Sequence, residues 1–89
     1  METSDLRLDG NALAGDLHEL FGVEMTVANG VCDNCGASGE VGALVVYAHA
    51  PGLVARCPHC EAVMIRLVRG RGRVWLDFRG VRTLTFSVP

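Results

Sequence analysis

The sequence predicts a small, mainly β domain of the α+β type, held together by a metal ion and carrying one helix at its N-terminus. The chain has 89 residues, 49% of them hydrophobic, which suits one folded domain whose small core needs a further support. All four cysteines fall into two Cys-x-x-Cys pairs, a spacing typical of metal sites. Most of the remaining chain consists of short alternating segments separated by glycine-containing turns, which is typical of antiparallel strands.

The N-terminal helix is predicted over residues 6–21. Asp9 is a suitable N-cap, and Gly22 stands where a left-handed C-terminal cap belongs. The i, i+4, i+7, i+8 spacing predicts one apolar stripe, formed by Leu13, Leu17, Leu20 and Phe21. We expect this stripe to pack against the sheet of the same chain or against a second copy of the protein.

A short strand and a turn are predicted before the first cysteine pair. Residues 23–28 favour a strand, and Asn29-Gly30 is a strong signal for a two-residue hairpin turn. Gly36, directly after Cys35, suits the tight turn of a metal-binding knuckle because glycine takes positive φ at no steric cost.

A hairpin is predicted between the two cysteine pairs. Residues 43–49 favour a strand, residues 50–52 contain Pro-Gly and favour a turn, and residues 53–56 return to the second pair. We therefore expect the two pairs to meet at the same end of one hairpin.

The alternation is clearest after the second pair. Residues 70–72 predict a tight turn between two strands, whose core face carries Val63, Ile65, Leu67, Val74, Leu76 and Phe78. Gly80 predicts a kink or bulge. Beyond it, a further apolar face is predicted from Leu84, Phe86 and Val88.

We expect a single domain over residues 1–89, with a helical segment at 1–22, a metal-binding ribbon at 23–69 and a β extension at 70–89. The longest apolar run, residues 41–50, is about half of the ~18 residues needed to span a bilayer. The first twenty residues lack the features of a secretory signal. These observations predict a cytoplasmic protein without membrane contact, where cysteines favour metal binding over disulfides.

The predicted metal ligands are all four cysteines, Cys32, Cys35, Cys57 and Cys60. Their pairs are separated by 21 residues, which matches the four-cysteine zinc pattern near the upper end of its spacing. We predict one structural Zn²⁺ per chain, with iron in a rubredoxin-like site as the alternative. Four thiolates leave no position for an activated water, and the sequence shows no other catalytic constellation, so neither enzymatic activity nor a small-molecule substrate is expected.

The segment Cys-Pro-His-Cys at residues 57–60 permits a second interpretation. It resembles the active site of periplasmic disulfide oxidoreductases, where a low thiol pKa makes the disulfide oxidising. The matching second cysteine pair and the strand predicted after residue 60 favour a metal site instead. The three histidines are expected to be structural or solvated; they are His18, His49 and His59.

Charge divides the chain into two halves. Residues 1–40 contain eight acidic residues and one arginine, whereas residues 41–89 contain seven arginines and two acidic residues. Either the acidic half folds against the basic half, or the basic half meets an external partner.

A contact face is predicted around the last hairpin, from Arg66, Arg69, Arg71, Arg73, Trp75 and Arg79. With a net charge of −2, protein–protein contact or a homodimer is the first expectation. The alternative is single-strand or RNA binding, because an indole among guanidinium groups can stack on bases and contact phosphates. A third interpretation is purely structural: the helix covers Trp75, and Arg79 pairs with Asp77 or with the acidic half.

Six segments carry a resemblance over nearly the whole chain. They are LDGNALAG at 8–15, FGV at 21–23, Cys-x-x-Cys-Gly at 32–36, HAPG at 49–52, RCP-x-C at 56–60 and WLD-x-RG at 75–80. Together they resemble a family of short zinc-ribbon proteins of unknown function from high-GC bacteria. The core is also similar to the zinc ribbons of transcription and translation proteins, which bind nucleic acid or protein. The resemblance implies a zinc ribbon with a non-catalytic role and assigns no binding residue beyond the cysteines.

Overall fold

The computed structural model describes residues 7–49 and 52–88. Its strands are β1 Arg7–Asp9, β2 Asn29–Cys32, β3 Ser38–Glu40, β4 Val45–His49, β5 Gly52–Arg56, β6 Val63–Gly70, β7 Arg73–Asp77 and β8 Val81–Thr85. One α-helix is found in this part of the chain, α1 Ala14–Phe21, together with short 3-10 helices at Gly10–Leu13, Met25–Val27 and Val41–Ala43. The strands form two antiparallel sheets, ordered β1-β4-β5-β6-β7 and β3-β2-β8. The predicted mainly β fold with one helix is confirmed.

The N-terminal segment is α-helical over only half of the predicted range of 6–21. Arg7–Asp9 instead pairs antiparallel with β4, and α1 begins at Ala14; residue 6 lies outside the described residues. Gly10 is buried, and a Cβ there would overlap the carbonyl of Val41. The chain therefore passes close to a distant segment at this point, and this tertiary contact overrides the local helical spacing.

The predicted C-terminal cap at Gly22 is confirmed, whereas Asp9 caps the 3-10 helix that precedes α1 and not α1 itself. The Asp9 side chain accepts a hydrogen bond of 3.0 Å from the Asn11 N–H at the start of the first 3-10 helix. Gly22 has a φ of 72°, and its N–H donates to the His18 carbonyl at 2.8 Å. Left-handed backbone at this position is the usual reason for glycine after a helix.

The predictions for residues 23–30 are wrong. Met25–Val27 forms a 3-10 helix, and Asn29-Gly30 begins β2 instead of turning the chain. β2 is the central strand of its sheet and pairs with both β3 and β8. Two ladders of backbone hydrogen bonds therefore outweigh the local turn preference of Asn-Gly.

The two predicted hairpins are confirmed. β4 and β5 pair antiparallel with Tyr47 opposite Val54, and the predicted turn residues 50 and 51 lie outside the described residues. β6 and β7 are joined by Arg71-Gly72, and the φ of Gly72 is 63°. On the predicted core face of this hairpin, the buried residues are Ile65 and Leu67, and the partly buried residues are Val63, Val74, Leu76 and Phe78.

Gly80 lies where the chain leaves the five-stranded sheet and enters the three-stranded one. A Cβ on Gly80 would overlap the carbonyl of Val63, so this crossing requires glycine. Leu84 packs partly against the core as predicted. Phe86 and Val88 are exposed and lie beyond the end of β8 at Thr85, so the predicted apolar face does not continue past Leu84 as part of the sheet.

The core lies between the five-stranded sheet and the helical segments. Its largest fully buried side chains are Leu13, Leu17, Met25, Val46, Ile65 and Leu67 together with two cysteines. Only the first half of the predicted helical stripe is buried, since Leu20 and Phe21 are each 42% exposed. Among the described helices, none combines the length and hydropathy needed to cross a membrane.

Candidate metal centre

The two cysteine pairs lie in turns that belong to different sheets. Cys32 ends β2 and Cys35 follows in the turn to β3, in the three-stranded sheet. Cys57 and Cys60 lie in the turn between β5 and β6, in the five-stranded sheet. The pairs meet as predicted, but they are not at the end of one hairpin. A metal ion held here would connect the two sheets.

The two turns have the same backbone geometry. The Gly36 N–H donates to the Cys32 carbonyl at 2.9 Å, and the Glu61 N–H donates to the Cys57 carbonyl at 2.9 Å. The residue after each second cysteine has positive φ, 78° at Gly36 and 67° at Glu61. Left-handed backbone is favourable for glycine and costly for glutamate. The turn at Glu61 is therefore strained, whereas the turn at Gly36 is not.

The four sulfur atoms form one cluster. All lie within 4.8 Å of one another, and the Cys32–Cys60 and Cys35–Cys57 Sγ distances are both 3.7 Å. A tetrahedral ion with metal–sulfur bonds of about 2.3 Å, as in zinc sites, requires sulfurs about 3.8 Å apart. A disulfide would require about 2.05 Å, and all four cysteines are free thiols. The sulfurs are therefore positioned to hold a metal ion.

The surroundings shift the pKa values of two of the thiols in opposite directions. The side-chain amide of Asn34 and the backbone N–H of Ala62 lower the pKa of Cys60 to about 6. The Ala37 N–H lowers the pKa of Cys35, but desolvation and the three neighbouring sulfurs outweigh it and raise that pKa to about 11. Four negative charges at this spacing repel one another strongly unless a cation lies between them. The electrostatics therefore favour a bound metal ion.

The Cys-Pro-His-Cys segment does not have the surroundings of a disulfide oxidoreductase. It forms a turn that leads into β6, whereas a helix N-terminus is one of the environments that lower a thiol pKa. The 3.7 Å sulfur contacts connect this pair to the other pair. His59 and His18 are exposed, and the side chain of His49 lies outside the described part of the chain.

The predicted contact face is divided between two sides of the sheet. Arg66 and Arg69 point in opposite directions because their positions on β6 differ by an odd number of residues. Arg69 forms an ion pair with Asp16 of α1 and lies 3.5 Å from Glu19. Arg69 therefore connects the acidic half of the chain to the basic half, and the prediction that it belongs to one surface with Trp75 is wrong.

The remaining residues of the predicted face are exposed. Trp75 is 54% exposed, so the helix does not cover it. Arg79 pairs with Asp77 at 2.7 Å while 90% of its side chain stays exposed, and the pairing lowers the pKa of Asp77 to about 2. The other exposed members are Arg66, Arg71 and Arg73. A shallow groove of about 460 Å³ runs beside Trp75, between Arg66 and Arg79.

Comparison with known proteins identifies the family. Residues 2–89 match the family of unknown function DUF6510. The chain belongs to this family. No curated protein and no solved structure matches the chain. The match includes both cysteine pairs.

Two features of the site were missed by the sequence-based predictions. One is Glu61, whose positive φ has no local sequence signal because glycine is the residue expected there. The other is Arg82 on β8, which lies 3.4 Å from the carboxylate of Asp33 and donates to the Asp33 carbonyl at 3.1 Å. This contact ties β8 to the first cysteine turn. Because Arg82 lies 49 positions after Asp33 in the sequence, only the tertiary structure brings them together.

Proposed function

We propose that this protein is a non-catalytic zinc-ribbon module in which one structural Zn²⁺ fastens the two sheets and the outer surface contacts other macromolecules. The observation that carries the proposal is the convergence of four sulfurs, drawn from two sheets, at the spacing of a tetrahedral tetrathiolate. Four thiolates complete the coordination of Zn²⁺, so no position is left for water or substrate. Free thiols also suit a reducing compartment, and we place the protein in the cytoplasm.

The position of the site supports a structural role for the metal. The sheet β3-β2-β8 contains only three short strands, and β3 is exposed at all three of its residues, so this sheet has little apolar surface with which to be stable on its own. Cys32 ends a strand of one sheet and Cys57 follows a strand of the other, and both are almost fully buried, which supports a metal ion at the junction of the two sheets. Structural zinc contributes on the order of 10 kcal/mol of binding free energy that is realised only on folding.

Metal analysis of the purified protein tests this part of the proposal. We expect one zinc ion per chain and loss of the native circular dichroism spectrum after treatment with a strong chelator. Replacement by Co²⁺ should give the visible absorption of a tetrahedral thiolate site. Iron is the alternative occupant with the same ligands. A red protein that contains one iron per chain would show that iron, and not zinc, occupies the site. A native fold after complete metal removal would contradict a structural role.

We propose first that the macromolecular partner is a protein, either a different protein or a second copy of this chain. Large apolar side chains are exposed on both sides of the five-stranded sheet: Leu20 and Phe21 on α1, and Trp75 on β7. Exposed aromatic side chains are enriched in protein interfaces.

Nucleic acid is the second candidate, and Trp75 is the observation that favours it. The exposed indole lies on the same face as Arg66 and Arg73, since β-strand alternation and register place them on one side of the sheet. We expect weak binding of a labelled single-stranded RNA at low salt, and we expect the double variant Arg73→Ala, Trp75→Ala to reduce it. Arg82→Ala is the matched control because Arg82 lies in the other sheet. Absence of binding at low salt would leave protein contact as the remaining proposal.

A further inference from the structure

β7 forms an edge of the five-stranded sheet, and among the described residues no strand pairs with its outer side. The two-residue turn Arg71-Gly72 makes Gly70 and Arg73 the hydrogen-bonded pair that closes the hairpin. Bonded and non-bonded pairs alternate from there, so the backbone groups of Val74 and Leu76 point away from β6. These groups are available to a further strand.

The order of side chains along β7 is complementary to itself. Arg73 and Asp77 stand at its two ends, Val74 and Leu76 stand next to them, and Trp75 lies at the centre. In an antiparallel pair centred on Trp75, Arg73 lies opposite the partner's Asp77 and Val74 lies opposite the partner's Leu76. Each charge then faces an opposite charge, and each aliphatic side chain faces another.

We propose that two copies of the protein associate through antiparallel pairing of β7 with the partner's β7, which joins two five-stranded sheets into one continuous sheet. The inference deepens the proposed function, because it rests on the assignment of this protein as a module for macromolecular contact and names its partner. Strand addition at a free edge is a common mode of protein recognition, with backbone hydrogen bonds supplying affinity and side chains supplying specificity.

The free backbone groups select this register. They belong to Val74 and Leu76, so these residues must form the hydrogen-bonded pairs across the interface. Centring on Trp75 satisfies this condition and pairs all five residues of β7. Centring on Val74 or Leu76 also satisfies it but pairs only three residues of each strand. The register centred on Trp75 is therefore the one with the most hydrogen bonds.

The same register brings the specific side chains closest together. Trp75 and Arg73 occupy non-hydrogen-bonded positions, where opposite Cα atoms lie about 4.5 Å apart and side chains are nearest. Among the described residues Arg73 is exposed and has no ion-pair partner. Asp77 already binds Arg79, but a carboxylate has about four acceptor sites and can accept a second guanidinium. The interface would contain the Arg–Asp pair twice.

Apolar surface is exposed on both sides of this edge. Trp75 is 54% exposed on the outer side. On the inner side, Phe21 is also exposed and packs edge-on against Phe78, directly after β7, with ring centroids 6.3 Å apart. β7 contains no proline and no bulge, which are two common means of preventing strand addition. Pairing of two copies would remove part of this apolar surface from water.

A charge-swap experiment tests the interface and its register. Sedimentation velocity over a range of concentrations at low salt measures the dimer dissociation constant of the whole, zinc-loaded chain. Arg73→Asp and Asp77→Arg, each alone, place like charges opposite each other twice per dimer, and each should weaken the dimer by about tenfold or more. The double variant R73D/D77R restores opposite charges only in the register centred on Trp75. It should return the dissociation constant to within about threefold of that of the unmodified protein.

The controls separate this inference from the proposed function. Arg71→Asp makes the same charge change at the hairpin tip, outside the five paired residues, and should not weaken the dimer. The circular dichroism spectrum and zinc content of each variant must match those of the unmodified protein. If the unmodified protein contains no metal, the proposed zinc module itself is overturned. A folded, zinc-loaded chain that stays monomeric would overturn the dimer but not the zinc module. The same conclusion would hold if that monomer binds RNA. A dimer that the double swap does not restore would overturn the β7 interface.

Discussion

Replacement of Cys57 by serine tests whether the metal holds the fold. Cys57 is 2% exposed, and its sulfur lies 3.7 Å from that of Cys35. Serine keeps the size of the side chain and the backbone of the turn but removes a soft thiolate ligand from the metal. The hydroxyl group also has to be buried where a thiol was, which adds a desolvation cost.

The expected effect is comparable to the whole stability of the domain. A domain of 89 residues has an unfolding free energy of about 4 to 13 kcal/mol, at about 0.05 to 0.15 kcal/mol per residue. Structural zinc supplies about 10 to 16 kcal/mol of apparent binding free energy. Loss of the metal therefore removes an amount comparable to the whole stability. We expect Cys57→Ser to be unfolded at 25 °C.

Far-ultraviolet circular dichroism and metal analysis measure the outcome together. His59→Ala is the matched control, since His59 lies between the two ligands of the same turn, is exposed, and contributes only its backbone N–H to the Cys57 sulfur, at 3.4 Å. That variant should keep both its metal and its native spectrum. A Cys57→Ser protein that holds no metal and still shows the native spectrum and a cooperative unfolding transition would refute the structural role of the metal.

Three further predictions concern stability and are measured by urea unfolding of the metal-loaded protein. Gly80→Ala should destabilise it by about 2 to 4 kcal/mol, because a Cβ there would overlap the Val63 carbonyl. Gly15→Ala is the control, because no atom lies within 4 Å of a Cβ at this helical position. Alanine there should stabilise the protein by about 0.5 to 1 kcal/mol. Equal effects of the two substitutions would contradict the predicted overlap at Gly80. Glu61→Gly should raise stability by about 0.5 to 1 kcal/mol, since glycine relieves the strain of a φ of 67°; a loss of stability would show that the turn is unstrained. Leu17→Ala should cost about 3 to 5 kcal/mol because the side chain is 1% exposed in the core, and a cost below about 1 kcal/mol would place α1 outside the cooperative unit.

The predictions that agree with the structure depend on signals within a few residues of the chain. The cysteine spacing predicted the cluster of four sulfurs that is positioned to hold a metal ion, because two residues between cysteines allow both sulfurs to reach one ion. Gly22 and Gly36 marked turns because left-handed backbone strongly favours glycine, and both have positive φ. The alternation on β6 and β7 predicted which face packs against the core, since strand side chains point to opposite faces in turn, but Met64 on the other face is buried as well.

The predictions that failed concern segments whose state depends on a distant partner. Residues 7–9 became a strand because β4 lies beside them, and Asn29-Gly30 became a strand because β8 pairs with it from the other end of the chain. Neither partner is visible in the local pattern.

The sequence alone determined which four thiols can hold a metal ion and which face of β6 and β7 packs against the core. Only the tertiary structure shows that the two cysteine pairs belong to different sheets, that Arg69 is bound to the helix, and that β7 has a free edge. The physical reason is the same in each case. Strand pairing and ion pairing between distant residues depend on the free energy of the whole fold, whereas spacing, capping and alternation are properties of short segments.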